Sequence, residues 1–153
     1  KGPSYLRFTR DKTPIITTQH SPFKPVSLFW TSENPKAVIF ATGYMVYHAL
    51  LAAKELDVPV LVANVAQIKP LDEKTIIDLV KKAEKVVTVE DHQVMGGLGG
   101  AISELLAKNS PAPIEFIGLQ DTFAESGKPQ ELIEKYKMDS KAIQTAVKKV
   151  IQR

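Results

Sequence analysis

Two carboxylates and an imidazole stand together at Glu90, Asp91 and His92, and four glycines follow at Gly96, Gly97, Gly99 and Gly100. Carboxylates beside a histidine can share acid and base work near neutral pH, because the imidazole's charge responds to its neighbours. Glycines ahead of a helix let backbone N–H groups approach a phosphate. Arg7 and Arg10 add guanidinium groups suited to bidentate recognition of the same anion.

Spacing weakens each of these readings. Successive residues of an extended segment point to opposite faces, so Glu90, Asp91 and His92 cannot all converge, and Arg7 and Arg10 fall on opposite sides. The dinucleotide fingerprint G-x-G-x-x-G fails, since counting from Gly97 and Gly99 places Ile102 where the third glycine belongs, and no Gly-Lys-Ser/Thr of a Walker loop is present. The favoured reading is a glycine turn that permits close backbone packing. One carboxylate then bonds the turn, and Asp91, His92, Gly96, Gly97 and Gly99 form a contact with a neighbouring subunit. Taken alone, Arg7 and Arg10 read as solvated or salt-bridged. His20 in a linker and His48 on a helix are weaker candidates still. With no i, i+4 histidine pair and no cysteine, no metal site is expected.

The elements that must hold these residues follow from hydrophobic period. Val26 to Trp30 and Ala37 to Ala41 read as strands, and the six-residue connection between them favours an antiparallel hairpin. Val46, Ala49, Leu50 and Ala53 make the stripe of an amphipathic helix. Val58 to Val65 reads as a parallel crossover strand, Asp72 as the N-cap of a second helix, and Val86 to Val89 as the strand that delivers Glu90. The glycines lead into a helix through Ile102, Leu105 and Leu106, and Ile114 to Ile117 is the last strand. A short helix spans Gln130 to Tyr136. Asp139 or Ser140 caps a closing helix whose Ile143, Ala146, Val147, Val150 and Ile151 share one face. This alternation predicts an α/β fold, a three-layer α/β/α sandwich on a five-stranded, mostly parallel sheet with one antiparallel strand. The boundary is expected near residue 22. Residues 1–22 read as the trailing segment of a preceding domain, with a start that looks like a piece of something longer, and residues 23–153 as the domain itself.

Composition excludes other classes. The 153 residues, 44% hydrophobic, suffice for one core, and the +3 charge is spread over 20 basic and 17 acidic residues without a basic block, so neither nucleic acid nor membrane is an expected partner. The absence of cysteine suits a reducing cytosol, hence a cytoplasmic protein.

Five motifs in order carry a resemblance. Lys1 to Arg10, KGPSYLRFTR, resembles the R-x-[ST]-R run that closes the pyrimidine-binding domain of transketolases. Ala41-Thr42-Gly43, Ile68-Lys69-Pro70-Leu71-Asp72, Thr88-Val89-Glu90-Asp91-His92 with Gly96-Gly97-Leu98-Gly99, and Ser126-Gly127-Lys128-Pro129 with Leu132 resemble motifs of the transketolase C-terminal domain. The resemblance implies the C-terminal portion of an enzyme that transfers a two-carbon ketol unit between sugar phosphates, as a homodimer. It implies thiamine diphosphate and Mg2+, or another divalent cation, held by N-terminal and pyrimidine-binding domains or a separate subunit, with no cofactor on this chain and no catalysis by it alone. Arg10 matches the arginine that binds the substrate's phosphate, which reverses the bland reading for that residue and leaves Arg7 open. Other thiamine-dependent enzymes, the 1-deoxyxylulose-5-phosphate synthases and the β-subunits of 2-oxoacid dehydrogenases, are the alternative, along with a non-catalytic assembly module.

Overall fold

The computed structural model describes residues 2–8 and 12–153. Five strands and five helices follow one another as β1 (Val26–Trp30), β2 (Ala37–Ala41), α1 (Met45–Glu55), β3 (Val60–Val65), α2 (Glu73–Ala83), β4 (Val86–Gln93), α3 (Leu98–Asn109), β5 (Ile114–Leu119), α4 (Pro129–Lys135) and α5 (Ser140–Val150). The sheet order is β1-β3-β2-β4-β5, parallel throughout except that β1 runs antiparallel to β3. This is the expected α/β/α sandwich with one antiparallel strand.

The hairpin expected between β1 and β2 does not form. β1 pairs with β3, Val26 opposite Val65, and β3 lies between β1 and β2. The reason is in the side chains. Every residue of β2 is buried, as a central strand with helices on both faces requires, whereas β1 exposes Leu28 and has the mixed pattern of an edge.

Alternation along the strands divides the core. Ile39, Val62, Val87 and Val89 face α1, α4 and α5, where Met45, Ala49, Ile133, Ile143 and Val147 meet them. Phe40, Leu61, Ala63 and Val86 face α2 and α3, against Ile76, Val80, Leu98, Ile102 and Leu106. Burial of each of the larger of these side chains, the alanines aside, stabilises the fold by roughly 1.5–3 kcal/mol. Caps hold the helix starts: Asp72 accepts from the Thr75 N–H at 3.2 Å and Asp139 from the Ala142 N–H at 3.0 Å.

The topology also decides where a site can lie. From β2 the chain crosses over α1 to β3 on one side, and from β4 it crosses over α3 to β5 on the other, with α1 and α3 on opposite faces. Opposite directions over opposite faces are what right-handed crossovers demand. The carboxyl ends of β2 and β4 therefore flank the crevice where strand order reverses, the usual ligand position in an open α/β sheet.

Residues 2–8 and 12–24 contain no helix or strand. Tyr5, Leu6, Phe8, Ile15 and Phe23 are among the most exposed large apolar side chains of the chain. This arm contributes little to the core, apart from Ile16, which packs against its edge.

Candidate functional site

β4 runs four residues beyond the expected Val89 and carries Glu90, Asp91 and His92 on its last turn of the sheet. Alternation sends Glu90 to the α3 face. There its Oε2 accepts from the Leu98 N–H at 2.9 Å and its Oε1 from the Gly99 N–H at 2.8 Å. The N-cap position of α3, Gly97, has no side chain, so Glu90 caps the helix from the neighbouring strand, its charge opposite the positive helix end. Burial pushes the Glu90 carboxyl above the usual range. The Gly99 and Leu98 N–H groups and His92 pull it down, and Asp91 pushes it up.

Gly97 makes room for this carboxylate, and Gly99 for side chains of the neighbouring strands. A Cβ on Gly97 would collide with Glu90 Oε2 and stand 2.5 Å from the Gln93 carbonyl oxygen, and one on Gly99 would lie 2.9 Å from Phe116 Cδ1. Gly96, at φ +79°, makes the left-handed step before the helix. Gly118 on β5 leaves room for Val94 and the Glu90 stem in the same way, a position the spacing of the glycine turn gave no reason to single out. Of the five residues expected at a subunit contact, His92 and Gly96 are exposed, and Asp91 and Gly97 are partly so. Gly99 is buried within its own chain, so it shapes the turn and offers no surface to a neighbour.

Asp91 and His92 do converge, which strict alternation forbids. The β4–β5 register shifts between Val89 and Gln93, and within that irregular stretch both side chains reach one cavity. His92 Nδ1 stands 2.9 Å from Asp91 Oδ1, and Arg7 Nη1 lies 3.1 Å from His92 Nε2. The cavity, about 560 Å³, opens at the carboxyl edge of the sheet. Gly43 and Tyr44 from the end of β2, Leu119 from β5, and Tyr136 and Met138 beyond α4 form its floor and walls, and Arg7, Phe8 and Lys12 of the arm lie across it. Arg10 falls outside the described residues.

Local chemistry explains the walls. Thr42 Oγ1 donates to the Val65 carbonyl at 2.8 Å, tying the ends of β2 and β3, and Gly43 takes the left-handed conformation that turns the chain into α1. The Ser126-Gly127-Lys128-Pro129 loop folds over Leu132, and Pro129 opens α4 where no N–H is needed. Gln93 pins the facing loop, accepting from the Asp121 N–H at 3.0 Å and donating to the Thr122 carbonyl at 2.7 Å. Tyr44, Gln93 and Tyr136 gave no sequence signal beyond their neighbourhood. Only their places at strand ends and beside the loop, visible once the topology is known, mark them.

His48 is buried, wedged edge-on between Tyr44 and Tyr47 with no partner for Nε2. Burial lowers its pKa, with Asp139 pulling the other way. Among the described residues no three His, Cys, Asp or Glu side chains group as metal ligands, and no helix is long and apolar enough to cross a membrane.

Residues 30–143 match the family model of the transketolase C-terminal domain. The chain is 37% identical to the 6-deoxy-6-sulfo-D-fructose transketolase subunit SqwH of Clostridium sp. (strain MSTE9), over 99% of this chain and 48% of that protein. It is 36% identical to a 1-deoxy-D-xylulose-5-phosphate synthase of Caldanaerobacter subterraneus subsp. tengcongensis, over 92% of this chain and 24% of that one. A split gene transketolase, solved as an inactive β4 tetramer, superposes with a TM-score of 0.86 at 32% identity, over 94% of this chain and 48% of its own. The chain thus spans about half the length, or less, of the relatives it matches. Sequence and fold agree along nearly its whole length, and the chain belongs to the transketolase C-terminal domain family.

Proposed function

We propose that the chain is the C-terminal portion of a transketolase, a cytoplasmic transferase that moves a two-carbon ketol unit between sugar phosphates, and that its own task is assembly and support of the catalytic part. The observation that carries this is the 37% identity to a transketolase subunit along 99% of the chain. Residues 1–22 are then the end of a pyrimidine-binding domain, which the exposure of Tyr5, Leu6, Phe8 and Ile15 supports, and residues 23–153 the C-terminal domain. N-terminal and pyrimidine-binding domains, in a dimer of the complete enzyme, hold thiamine diphosphate and Mg2+ or another divalent cation, and this chain holds neither. The glycine turn does not fit the cofactor's diphosphate. Its N–H groups at Leu98 and Gly99 are already bonded to the Glu90 carboxyl, whose ionised form would repel an anion at the same place. Asp91, His92, Gly96 and Gly97, with the exposed Met95 beside them, face a partner subunit or domain, and Gly99 supports that surface from beneath.

Arg10 binds the terminal anion of the sugar. A guanidinium fork suits a phosphate and equally a sulfonate, the group in the substrate named for the Clostridium relative. In the assembled enzyme, Arg10→Ala raises KM for anionic acceptors at least about tenfold, the loss of one charge-assisted contact, and leaves uncharged ones nearly unchanged. Steady-state kinetics with a matched pair of acceptors checks this, and an equal effect on both would remove Arg10 from the role. The match to a 1-deoxyxylulose-5-phosphate synthase supports a second reading, in which the same assembly yields deoxyxylulose phosphate instead of ketol transfer. Product analysis separates the two.

A further inference from the structure

The segment between β5 and α4, residues 120–128, has no helix or strand, yet three side chains of the folded unit hold it. Gln93, at the end of β4, accepts from the Asp121 N–H at 3.0 Å and donates to the Thr122 carbonyl at 2.7 Å. Tyr136 Oη accepts from the Glu125 N–H at 2.9 Å and lies 3.5 Å from the Phe123 carbonyl oxygen. Lys135 Nζ reaches both carboxylate oxygens of Glu125 at 2.7 Å. Asp121 sits at φ +49°, a left-handed conformation uncommon for a residue with a side chain.

Between these ties stands Phe123, 98% exposed. A single exposed apolar side chain on a loose loop needs no explanation. Here the backbone on both sides of the ring is bonded to the unit, so the ring is presented outward in a fixed setting. Ordering the backbone of one residue costs on the order of 1–2 kcal/mol, and each hydrogen bond contributes about 1 kcal/mol against it. Much of the ordering is therefore done before any partner arrives, which strengthens association with one that takes the ring. Aromatic side chains are enriched where interfaces bury most.

Location selects the partner. Ala124, next to Phe123, lines the same cavity as Arg7, Phe8 and Lys12 of the arm. With residues 1–22 read as the end of a pyrimidine-binding domain, the arm belongs to that domain's fold, and the body of the domain lies against whatever borders the arm. A covalently joined domain is also present there at high effective concentration, an advantage a second copy of the chain lacks. The chain covers 48% of the Clostridium subunit, which leaves length for such a domain in that relative. We propose that Phe123, set in place by Gln93 and Tyr136, packs into an apolar pocket of the preceding pyrimidine-binding domain. The proposal rests on the assignment of residues 1–22 to that domain.

Amide hydrogen exchange tests this, comparing the 153-residue chain with the complete enzyme that carries the preceding domain. Backbone amides of residues 121–125 should exchange about tenfold more slowly in the complete enzyme. Phe123→Ser should abolish that difference and leave exchange in the 153-residue chain unchanged, because the ring is exposed there. Phe123→Leu, still apolar, should keep most of the protection. No slowing in the complete enzyme, slowing that survives Phe123→Ser, or faster exchange of Phe123→Ser within the shorter chain would overturn the proposal. Protection that falls on dilution would place a second copy on the ring and overturn it as well. Calorimetric titration of the complete enzyme with thiamine diphosphate keeps the two claims apart. Binding without Phe123-dependent protection means that the packing alone fails. Absence of binding removes the domain assignment, and the packing with it.

Discussion

Glu90 is a buried carboxyl whose two oxygens each accept a backbone N–H, and the balance of burial against those bonds makes it a reporter of the turn. Its folded pKa is raised above 4.5, so between that value and the raised one the folded state holds the proton more tightly than the unfolded chain. The associated stability is fully present below the unfolded pKa and is lost as pH rises through the folded one. Urea midpoints of the wild type should therefore contain a component that declines with rising pH in that window, and Glu90→Gln should remove it. At neutral pH the same variant should cost about 1–3 kcal/mol, because one end of the amide meets an N–H it cannot accept. An unchanged pH slope would mean that the carboxyl is not the group responsible. At this scale the sequence made part of the site legible. That one carboxylate would bond the turn followed from alternation along a strand. Which one it was depended on the sheet face that α3 covers, and that Asp91 and His92 would meet depended on a register irregularity in the pairing with β5, which nothing local to TVEDHQ encodes.

The α3 entry tests whether close packing is what the glycines supply. Gly97→Ala should destabilise by about 1–3 kcal/mol, since its Cβ meets Glu90 and the Gln93 backbone, neither of which can retreat without breaking the cap. Gly100 lies inside α3 with only the Val94 carbonyl oxygen near its Cβ direction, at 3.6 Å, an ordinary contact. Gly100→Ala should be neutral or stabilising by up to about 1 kcal/mol through helix propensity. Denaturant unfolding of the pair decides it, and equal costs at both sites would show that the turn has no special tightness at Gly97. Elements with their own signals, such as α2 and α5 with aspartate caps and clear apolar faces, were readable from sequence alone. Strand neighbours were not. The short β1–β2 connection suggested a hairpin because loop length is local information, while the insertion of β3 between them is decided by which strand must bury both faces.

For the whole molecule, an ordered set of motifs and a half-length match place the chain in a family whose members it covers only in part. Its exposed arm, the apolar side chains of Met95 and Phe123, and the cavity that the arm helps to line form the surface against which we propose the remaining domains pack. On the proposed function, ketol transfer needs both this chain and the domains that hold thiamine diphosphate. The most direct measurement is a thiamine-dependent ketol transfer assay on this chain alone, and then on the chain combined with a polypeptide carrying the N-terminal and pyrimidine-binding domains. No turnover from the chain alone and restored, thiamine-dependent turnover from the mixture is the expected result; robust turnover by the isolated chain would contradict it.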